Sequence, residues 1–245
     1  MIYLFRIYQW LIAAPILLVL TLLACLMTAV CTLLFGHRTG AYWAPMIWSR
    51  CICALLYIRV KVCGRELLDK KQSYVFVANH QGAFDIWAIY GYLGRPFKWL
   101  MKKSLEKVPV VGATCRYAGH VFVDDSSIAG IKETISDAEK TLKEGMSLVI
   151  FPEGSRTYDG RMRPFKRGAF MLAAEFNLPV VPITIDGAFK AMPRTTYNVT
   201  PCTIRLTIHP PIVPPEKGFN TKRLMSECRR QINSSLPPAH QDPAD

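Results

Sequence analysis

The sequence predicts an α/β fold in which a mostly parallel, buried sheet is flanked by helices and preceded by an N-terminal hydrophobic, membrane-engaging helical unit. After residue 58, short runs of β-branched and aromatic residues alternate with stretches of helical periodicity, a succession typical of α/β folds. Several of the short runs are apolar throughout, as expected of parallel strands that are covered on both faces. Before residue 58, positions 7–36 form a run of 30 residues without Lys, Arg, Asp or Glu.

Residues 1–58 are interpreted as the membrane-engaging unit, because a bilayer core requires about 20 apolar residues in helical form. Pro15 is expected to kink the helix, and positions 41–58 are again apolar, with Trp and Tyr residues that favour the membrane interface. Two arrangements fit this pattern: one span followed by an interfacial helix, or two helices inserted into one leaflet. A cleaved signal peptide fits less well, because its apolar segment is only about 7–15 residues long.

Residues 59–236 are predicted to form the α/β domain. Strands are expected at 58–62, 74–78, 97–101, 120–123, 147–151, 180–185 and 203–208, where the residues are apolar throughout or alternate with polar ones. Helices are expected at 84–92, 126–144, 167–176 and 221–232; the second has apolar residues at helical spacing and Gly145 at its end. Residues 237–245 include three prolines and are predicted to be a frayed tail.

The charge of the chain indicates an anionic partner. Thirty Lys and Arg residues against 18 Asp and Glu residues give a net charge of +12, which favours a nucleic acid, an anionic membrane surface or a phosphorylated substrate. The sequence contains neither a basic strand with interleaved aromatic residues nor a helix-turn-helix pattern, so we expect no nucleic acid. The eight cysteines have no C-x-x-C or zinc-type spacing, so we expect free thiols and no metal site.

The loop after the predicted strand at 74–78 carries a histidine and a carboxylate. His80 follows the strand directly, and Asp85 comes five positions later, where a helix begins. An aspartate that holds one ring nitrogen leaves the other nitrogen free to act as a general base. Since no nucleophilic side chain is apparent beside them, the base would activate a hydroxyl group of a substrate. The alternative is a capping network in which Asp85 interacts with the helix dipole.

Two further segments carry basic residues. Residues 151–157 (F-P-E-G-S-R-T) follow another predicted strand; Gly154 permits a close backbone approach, and Arg156 offers a planar guanidinium for phosphate. The alternative for this segment is a solvated basic loop. The other segment, with Lys98, Lys102, Lys103 and Lys107, precedes an apolar turn that could pack against lipid or an acyl chain, or could be ordinary surface.

Four motifs occur in a fixed order: N-H-x4-D at 79–85, K-K-S-L-x-K-V-P-x-x-G at 102–112, F-P-E-G-S-R-T at 151–157, and V-V-P-I at 180–183. The combination resembles the glycerolipid acyltransferase family, specifically the 1-acyl-glycerol-3-phosphate acyltransferases of bacterial type. The resemblance extends over roughly residues 1–210. An H-x4-D motif alone is weak, but its separation of about 70 residues from F-P-E-G-S-R makes the match specific.

The resemblance implies transfer of an acyl group from acyl-CoA or acyl carrier protein to lysophosphatidic acid, without a metal or other cofactor. It implies that His80 and Asp85 are the catalytic pair. It also implies an anionic membrane as partner, and a location at the inner (cytoplasmic) membrane with the catalytic domain facing the cytoplasm. The substrate-binding residues that it implies are Glu153, Gly154, Arg156, Lys102 and Pro182.

The sequence departs from the family pattern at one position. The family's second block usually ends in arginine, as in G-x-x-F-I-x-R, whereas residues 119–125 here end in Asp125. This difference leaves open which residues would contact the glycerophosphate, and therefore which acceptor the protein would use. The alternatives are an enzyme that acylates another lysophospholipid or an amine-headed lipid, and a non-catalytic, membrane-anchored lipid-binding protein.

Overall fold

A seven-stranded sheet is the centre of the computed structural model, which describes residues 2–124, 127–143, 145–213 and 220–242. The strand order is β1-β7-β6-β2-β5-β3-β4, and neighbours are parallel except for β6 and β7. The predicted α/β class with a mostly parallel sheet is therefore confirmed. The strands are β1 (Arg59–Cys63), β2 (Val75–Ala78), β3 (Phe97–Lys102), β4 (Val121–Val123), β5 (Ser147–Ile150), β6 (Val180–Asp186) and β7 (Thr203–Ile208).

Burial along each strand follows from its place in the sheet. All four residues of β2 are buried, as are the first six of β6, because helices cover both faces of these central parallel strands. The edge strand β1 alternates between exposed and half-buried residues. The alternating run expected at 58–62 is thus the edge strand β1, and the apolar run expected at 74–78 is the central strand β2.

The helices flank the sheet and also extend before it. A π-helical turn, Gln9–Ala13, joins the first two helices, and short 3₁₀ turns occupy Arg65–Leu67 and Lys103–Lys107. The sequence pattern missed α4, α7 and both 3₁₀ turns, and the ends predicted at Ser126 and Glu144 lie outside the described residues. The helices are α1 (Ile2–Tyr8), α2 (Ala14–Leu55), α3 (Phe84–Tyr92), α4 (Val111–Tyr117), α5 (Ile128–Lys143), α6 (Gly168–Glu175), α7 (Ala188–Ala191) and α8 (Thr221–Ser234).

Helix α2 is folded back on itself, and its two halves form an N-terminal hairpin (residues 14–55). The bend lies at Gly36, whose φ of 78° is in the left-handed region. The halves run side by side: Trp48 Nε1 donates to Thr21 Oγ1 over 3.1 Å, and a Cβ atom on Gly40 would lie 2.2 Å from Thr32 Oγ1. The kink expected at Pro15 is not the sharp bend: Pro15 lies just after the π-helical turn Gln9–Ala13, and the helix continues through it.

The N-terminal segment is apolar on its outer surface and anchored to the α/β domain on its inner surface. The helical stretch Ile2–Arg38 is long enough to cross a membrane, and it contains an 18-residue window with a mean hydropathy of 2.7. On the inner side, Arg50 Nε donates to the carbonyl of Gly91 over 2.8 Å. Ile52 and Leu56 lie in the same buried cluster as Phe76 of β2. The expected N-terminal apolar helical unit is confirmed.

The C-terminal segment is held against α8 as far as it is described. The backbone N–H of Asp242 donates to Asn233 Oδ1 over 2.8 Å, and the carboxylate of Asp242 pairs with Arg229. Residues 237–242, expected to be frayed, are therefore fixed by hydrogen bonds that sequence composition cannot predict. Residues 243–245 lie outside the described part of the chain.

Candidate active site

The two loops singled out in the sequence lie side by side at the carboxyl end of the sheet. Strands β2 and β5 are adjacent and parallel, and Val77 pairs with Ile150 at their ends. The loop that begins at Asn79 and the loop that begins at Phe151 therefore leave the sheet next to each other. In parallel sheets, this edge is where ligand-binding loops are found.

His80 and Asp85 are in direct contact. The ring Nδ1 of His80 lies 2.8 Å from Oδ2 of Asp85, which also accepts the backbone N–H groups of Gln81 (2.7 Å) and Gly82 (2.9 Å). Asp85 is fully buried, and the His80 side chain is 14% exposed. A carboxylate at Nδ1 keeps the proton on that nitrogen and leaves Nε2 as the proton acceptor. The predicted pairing is present; the same oxygen also binds two N–H groups of the loop before α3, whereas α3 itself has no side-chain cap hydrogen bond.

Contacts with neighbouring elements hold the His80 loop in place. Asn79 accepts the N–H of Ile185 over 2.7 Å and donates to the carbonyl of the same residue over 2.9 Å, which fastens the loop to β6. A Cβ atom on Gly82 would lie 2.2 Å from the carbonyl oxygen of Ala188, so only glycine fits the close approach to α7. No role for Asn79 was predicted from the sequence, although a polar residue directly after a buried strand such as β2 is a candidate for a role in the site.

The aromatic ring of Phe151 packs against one face of the His80 imidazole. Its ring is stacked on that of His80, with centroids 4.0 Å apart and an interplanar angle of 8°. The ring of Trp99 is also stacked on that of Phe151, with the ring centroids 5.3 Å apart. The stacked aromatic rings restrict the rotation of the imidazole, a role that the sequence analysis missed for Phe151.

Glu153 lies under the loop rather than at its surface. Oε1 accepts the backbone N–H of His80 over 2.8 Å, and Oε2 accepts that of Arg163 over 2.9 Å. The residue is 5% exposed. Burial raises the pKa of Glu153 to about 8, and the nearby Asp85 carboxylate also raises it. The two N–H donors lower this pKa but do not cancel the rise.

A cavity of about 730 Å³ connects His80 with the N-terminal hairpin. This volume is within the usual range for a small-molecule site. Apart from His80, the polar positions of its wall include Lys102 at the end of β3, Gly154, and Lys166. Most of the wall is apolar and comes from both halves of α2, from β3, from the segment between β3 and α4, and from α4; it includes Ala24, Pro45, Trp48, Leu100, Leu105, Val108 and Val111.

Comparison with known proteins assigns a family to this site. Residues 59–186, slightly more than half of the chain, match the family described as Acyltransferase. The chain belongs to the acyltransferase family. The matched region contains the whole His80 loop, the Phe151 loop and the cavity-lining residues of β3 and α4.

Individual relatives agree with this assignment. A 1-acyl-sn-glycerol-3-phosphate acyltransferase of Chlamydomonas reinhardtii is 32% identical over 204 residues, which cover 82% of this chain and 60% of the relative. A chloroplastic enzyme of the same name from Brassica napus is 34% identical over 204 residues, covering 82% and 56%. This chain thus spans less than two thirds of the length of either relative.

A solved structure shares the fold. The crystal structure of the 1-acyl-sn-glycerophosphate (LPA) acyltransferase PlsC from Thermotoga maritima superposes with a TM-score of 0.76 at 24% sequence identity. The superposition covers 94% of this chain and 92% of the Thermotoga chain. The shared architecture therefore includes the N-terminal hairpin of this acyltransferase as well as its sheet.

The remaining residues implied by the resemblance are not all at the cavity of this acyltransferase. Lys102 and Gly154 are part of the wall, whereas Arg156, which is half-buried, is not among the lining residues of the described chain. Pro182 is buried within β6, where it pairs in register with Val77. Asp125, the departure from the family pattern, lies outside the described residues.

Lys98 differs from the surface residue that its cluster suggested. It is 1% exposed, and its ammonium donates to the carbonyl of His37 over 2.8 Å and to that of Ala118. Its positive charge adds to the effect of burial on the adjacent His120, whose pKa is lowered to about 3. His120 is therefore neutral at physiological pH, with its Nε2 2.8 Å from the hydroxyl of Tyr90.

Proposed function

We propose that this acyltransferase moves a fatty acyl group from a thioester, acyl-CoA or acyl carrier protein, to the free hydroxyl of 1-acyl-glycerol-3-phosphate. The product is phosphatidic acid, a precursor in phospholipid biosynthesis. One observation carries the proposal: His80, joined to Asp85 over 2.8 Å, lies on the wall of an apolar cavity that extends to a membrane-type helical hairpin. The names of the two relatives and of the Thermotoga structure support the acceptor.

The chemistry that fits this arrangement is direct transfer with His80 as the base. Nε2 of His80 takes the proton of the acceptor hydroxyl while the hydroxyl oxygen attacks the thioester carbonyl. A tetrahedral oxyanion forms; it then collapses, the C–S bond breaks, and the departing thiolate receives the proton from His80. Asp85 stabilises the imidazolium in between, since its buried carboxylate lies at Nδ1.

The cavity supplies places for the two chemical parts of a lysophospholipid. Its apolar wall, made by α2, β3 and α4, suits an acyl chain. Lys102 and Lys166 line the same space as His80 and provide positive charge for a phosphate. Arg156 follows Gly154 by two residues on the same loop, and its role as a further phosphate ligand stays a prediction.

The N-terminal hairpin fits a site that receives lipids from a bilayer. Its outer surface exposes large apolar side chains, among them Leu18, Leu22, Leu26, Leu33 and Phe35, as a surface in contact with lipid requires. The net charge of +12 would attract an anionic membrane surface. We further propose that the membrane is the inner (cytoplasmic) membrane and that the α/β domain faces the cytoplasm.

A thiol-release assay tests the proposed function. The purified protein is incubated in mixed micelles with an acyl-CoA or an acyl carrier protein and with lysophosphatidic acid; free thiol and phosphatidic acid are measured together. We expect both products in equal amounts from the native chain and a large loss with His80→Ala. Release with another lysophospholipid but not with lysophosphatidic acid would overturn the acceptor, and no release with any acceptor would indicate a binding protein.

A further inference from the structure

We propose that Glu153 is a positioning residue that fixes the backbone of His80 and does not itself contact substrate, an inference that rests on the acyl transfer proposed above. The resemblance of the F-P-E-G-S-R-T segment to a substrate-binding block implied the opposite role for this residue. The atoms that its carboxylate contacts decide between the two.

Both carboxylate oxygens of Glu153 are engaged by the protein's own main chain. Oε1 accepts the N–H of His80 over 2.8 Å, and Oε2 accepts the N–H of Arg163 over 2.9 Å. The residue is 5% exposed. Its neighbours Pro152 and Gly154 belong to the cavity wall, whereas Glu153 is absent from the described lining. Its side chain thus turns away from the space where substrates would bind.

These contacts bear on the position of His80, the proposed general base. The N–H of His80 is held by Glu153, and the carbonyl of His80 accepts the N–H of Thr157 over 3.0 Å. The ring of His80 is stacked on Phe151 of the same segment. Residues 151–157 therefore hold the main chain and one face of the ring, while Asp85 sets the rotation of the ring through Nδ1.

A carboxyl group fits this position because two N–H groups point at it from different segments and each of its oxygens can accept one of them. Glutamine keeps one acceptor oxygen but places an NH₂ group against the second N–H, so it loses one of the two contacts. Alanine loses both and leaves two buried N–H groups without an acceptor. A shift of about 1 Å in a reacting group can cost on the order of a hundredfold in rate, without a corresponding loss of substrate affinity.

Steady-state kinetics of Glu153→Gln separate positioning from substrate binding. We expect kcat to fall by about 10- to 100-fold, while KM for lysophosphatidic acid and for acyl-CoA each stay within about threefold of the native values. Glu153→Ala should be worse than Glu153→Gln in kcat; if it fails to fold, the glutamine variant alone decides. Glu175→Gln, the same substitution at an exposed position of α6, should leave both parameters unchanged.

A double variant tests whether Glu153 acts through His80. In a His80→Ala background, adding Glu153→Gln should lower the residual rate by less than about threefold, because the group that Glu153 positions is already absent. A rise in KM for either substrate at unchanged kcat would overturn the positioning role while leaving the proposed function intact. Absence of product from the native chain would instead overturn the proposed function itself.

Discussion

Replacing Glu153 with glutamine should change how the stability of the protein depends on pH. Burial raises the pKa of this carboxyl from 4.5 to about 8, and the Asp85 carboxylate adds to the rise. The N–H groups of Arg163 and His80, and the positive charge of Arg229, act in the opposite direction but do not cancel it. Because the folded pKa is above the unfolded one, Glu153 contributes stability fully below about pH 4.5 and loses it progressively as the pH rises to about 8.

The size of the effect follows from the difference between the two pKa values. Each tenfold change in proton affinity is worth about 1.4 kcal/mol, so a rise from 4.5 to about 8 corresponds to about 3–5 kcal/mol between pH 4 and pH 9. For a chain of this length, about 1 kcal/mol moves the melting temperature by about 2–4 °C. Glutamine does not ionise and should remove this component of the pH dependence.

Thermal unfolding in detergent measures the prediction. The melting temperature of the native chain minus that of Glu153→Gln should fall steadily between pH 5 and pH 8 and then level off. Glu175→Gln, at an exposed position, serves as the control and should show no such trend. A constant difference between the native chain and Glu153→Gln across this range would refute the reasoning, since it would mean that burial does not raise the pKa of Glu153.

Three further predictions concern the site. His80→Ala should lower kcat by about 10²–10⁴-fold, the range for loss of a general base. Asp85→Asn should also lower kcat strongly, because an amide can hold the imidazole in the wrong tautomer. Near-normal turnover in either folded variant would contradict the mechanism. Lys166→Ala should raise KM for lysophosphatidic acid by about 10- to 100-fold, measured as the initial rate over a range of acceptor concentrations. Lys61→Ala, on the exposed edge of the sheet, is the control and should leave this KM unchanged. Gly82→Ala should lower the melting temperature and the rate together, because its Cβ would lie 2.2 Å from a carbonyl oxygen of α7.

The contact between His80 and Asp85 could be predicted because it is local. The two residues are five positions apart, and the strand-to-helix transition between them brings their side chains together. The contact from Glu153 to the N–H of His80 spans 73 residues and depends on β2 and β5 being neighbours. Periodicity identifies both strands but not their order in the sheet, so the role of Glu153 could not be predicted.

Lys98 shows a second limit of sequence reasoning. A lysine in a basic cluster is ordinarily solvated, because burying an ammonium without hydrogen-bond partners is costly. Here the carbonyl of His37, the residue that follows the break in α2 at Gly36, accepts a hydrogen bond from Lys98. The burial of Lys98 therefore depends on a bend about 60 residues away, which composition places at Pro15 rather than Gly36.

The N-terminal hairpin and the α/β domain build the site together. Sequence composition separates residues 1–58 from residues 59–236, but the cavity that contains His80 takes part of its wall from Thr21, Cys25 and Trp48 of the hairpin. The same hairpin shares a buried cluster with the strands of the sheet. An anchor that only held the protein at a membrane would not need to line the cavity that contains His80. Under the proposed function, a hairpin that is apolar toward both the outer surface and the cavity would offer a lipid an apolar environment on its way to His80.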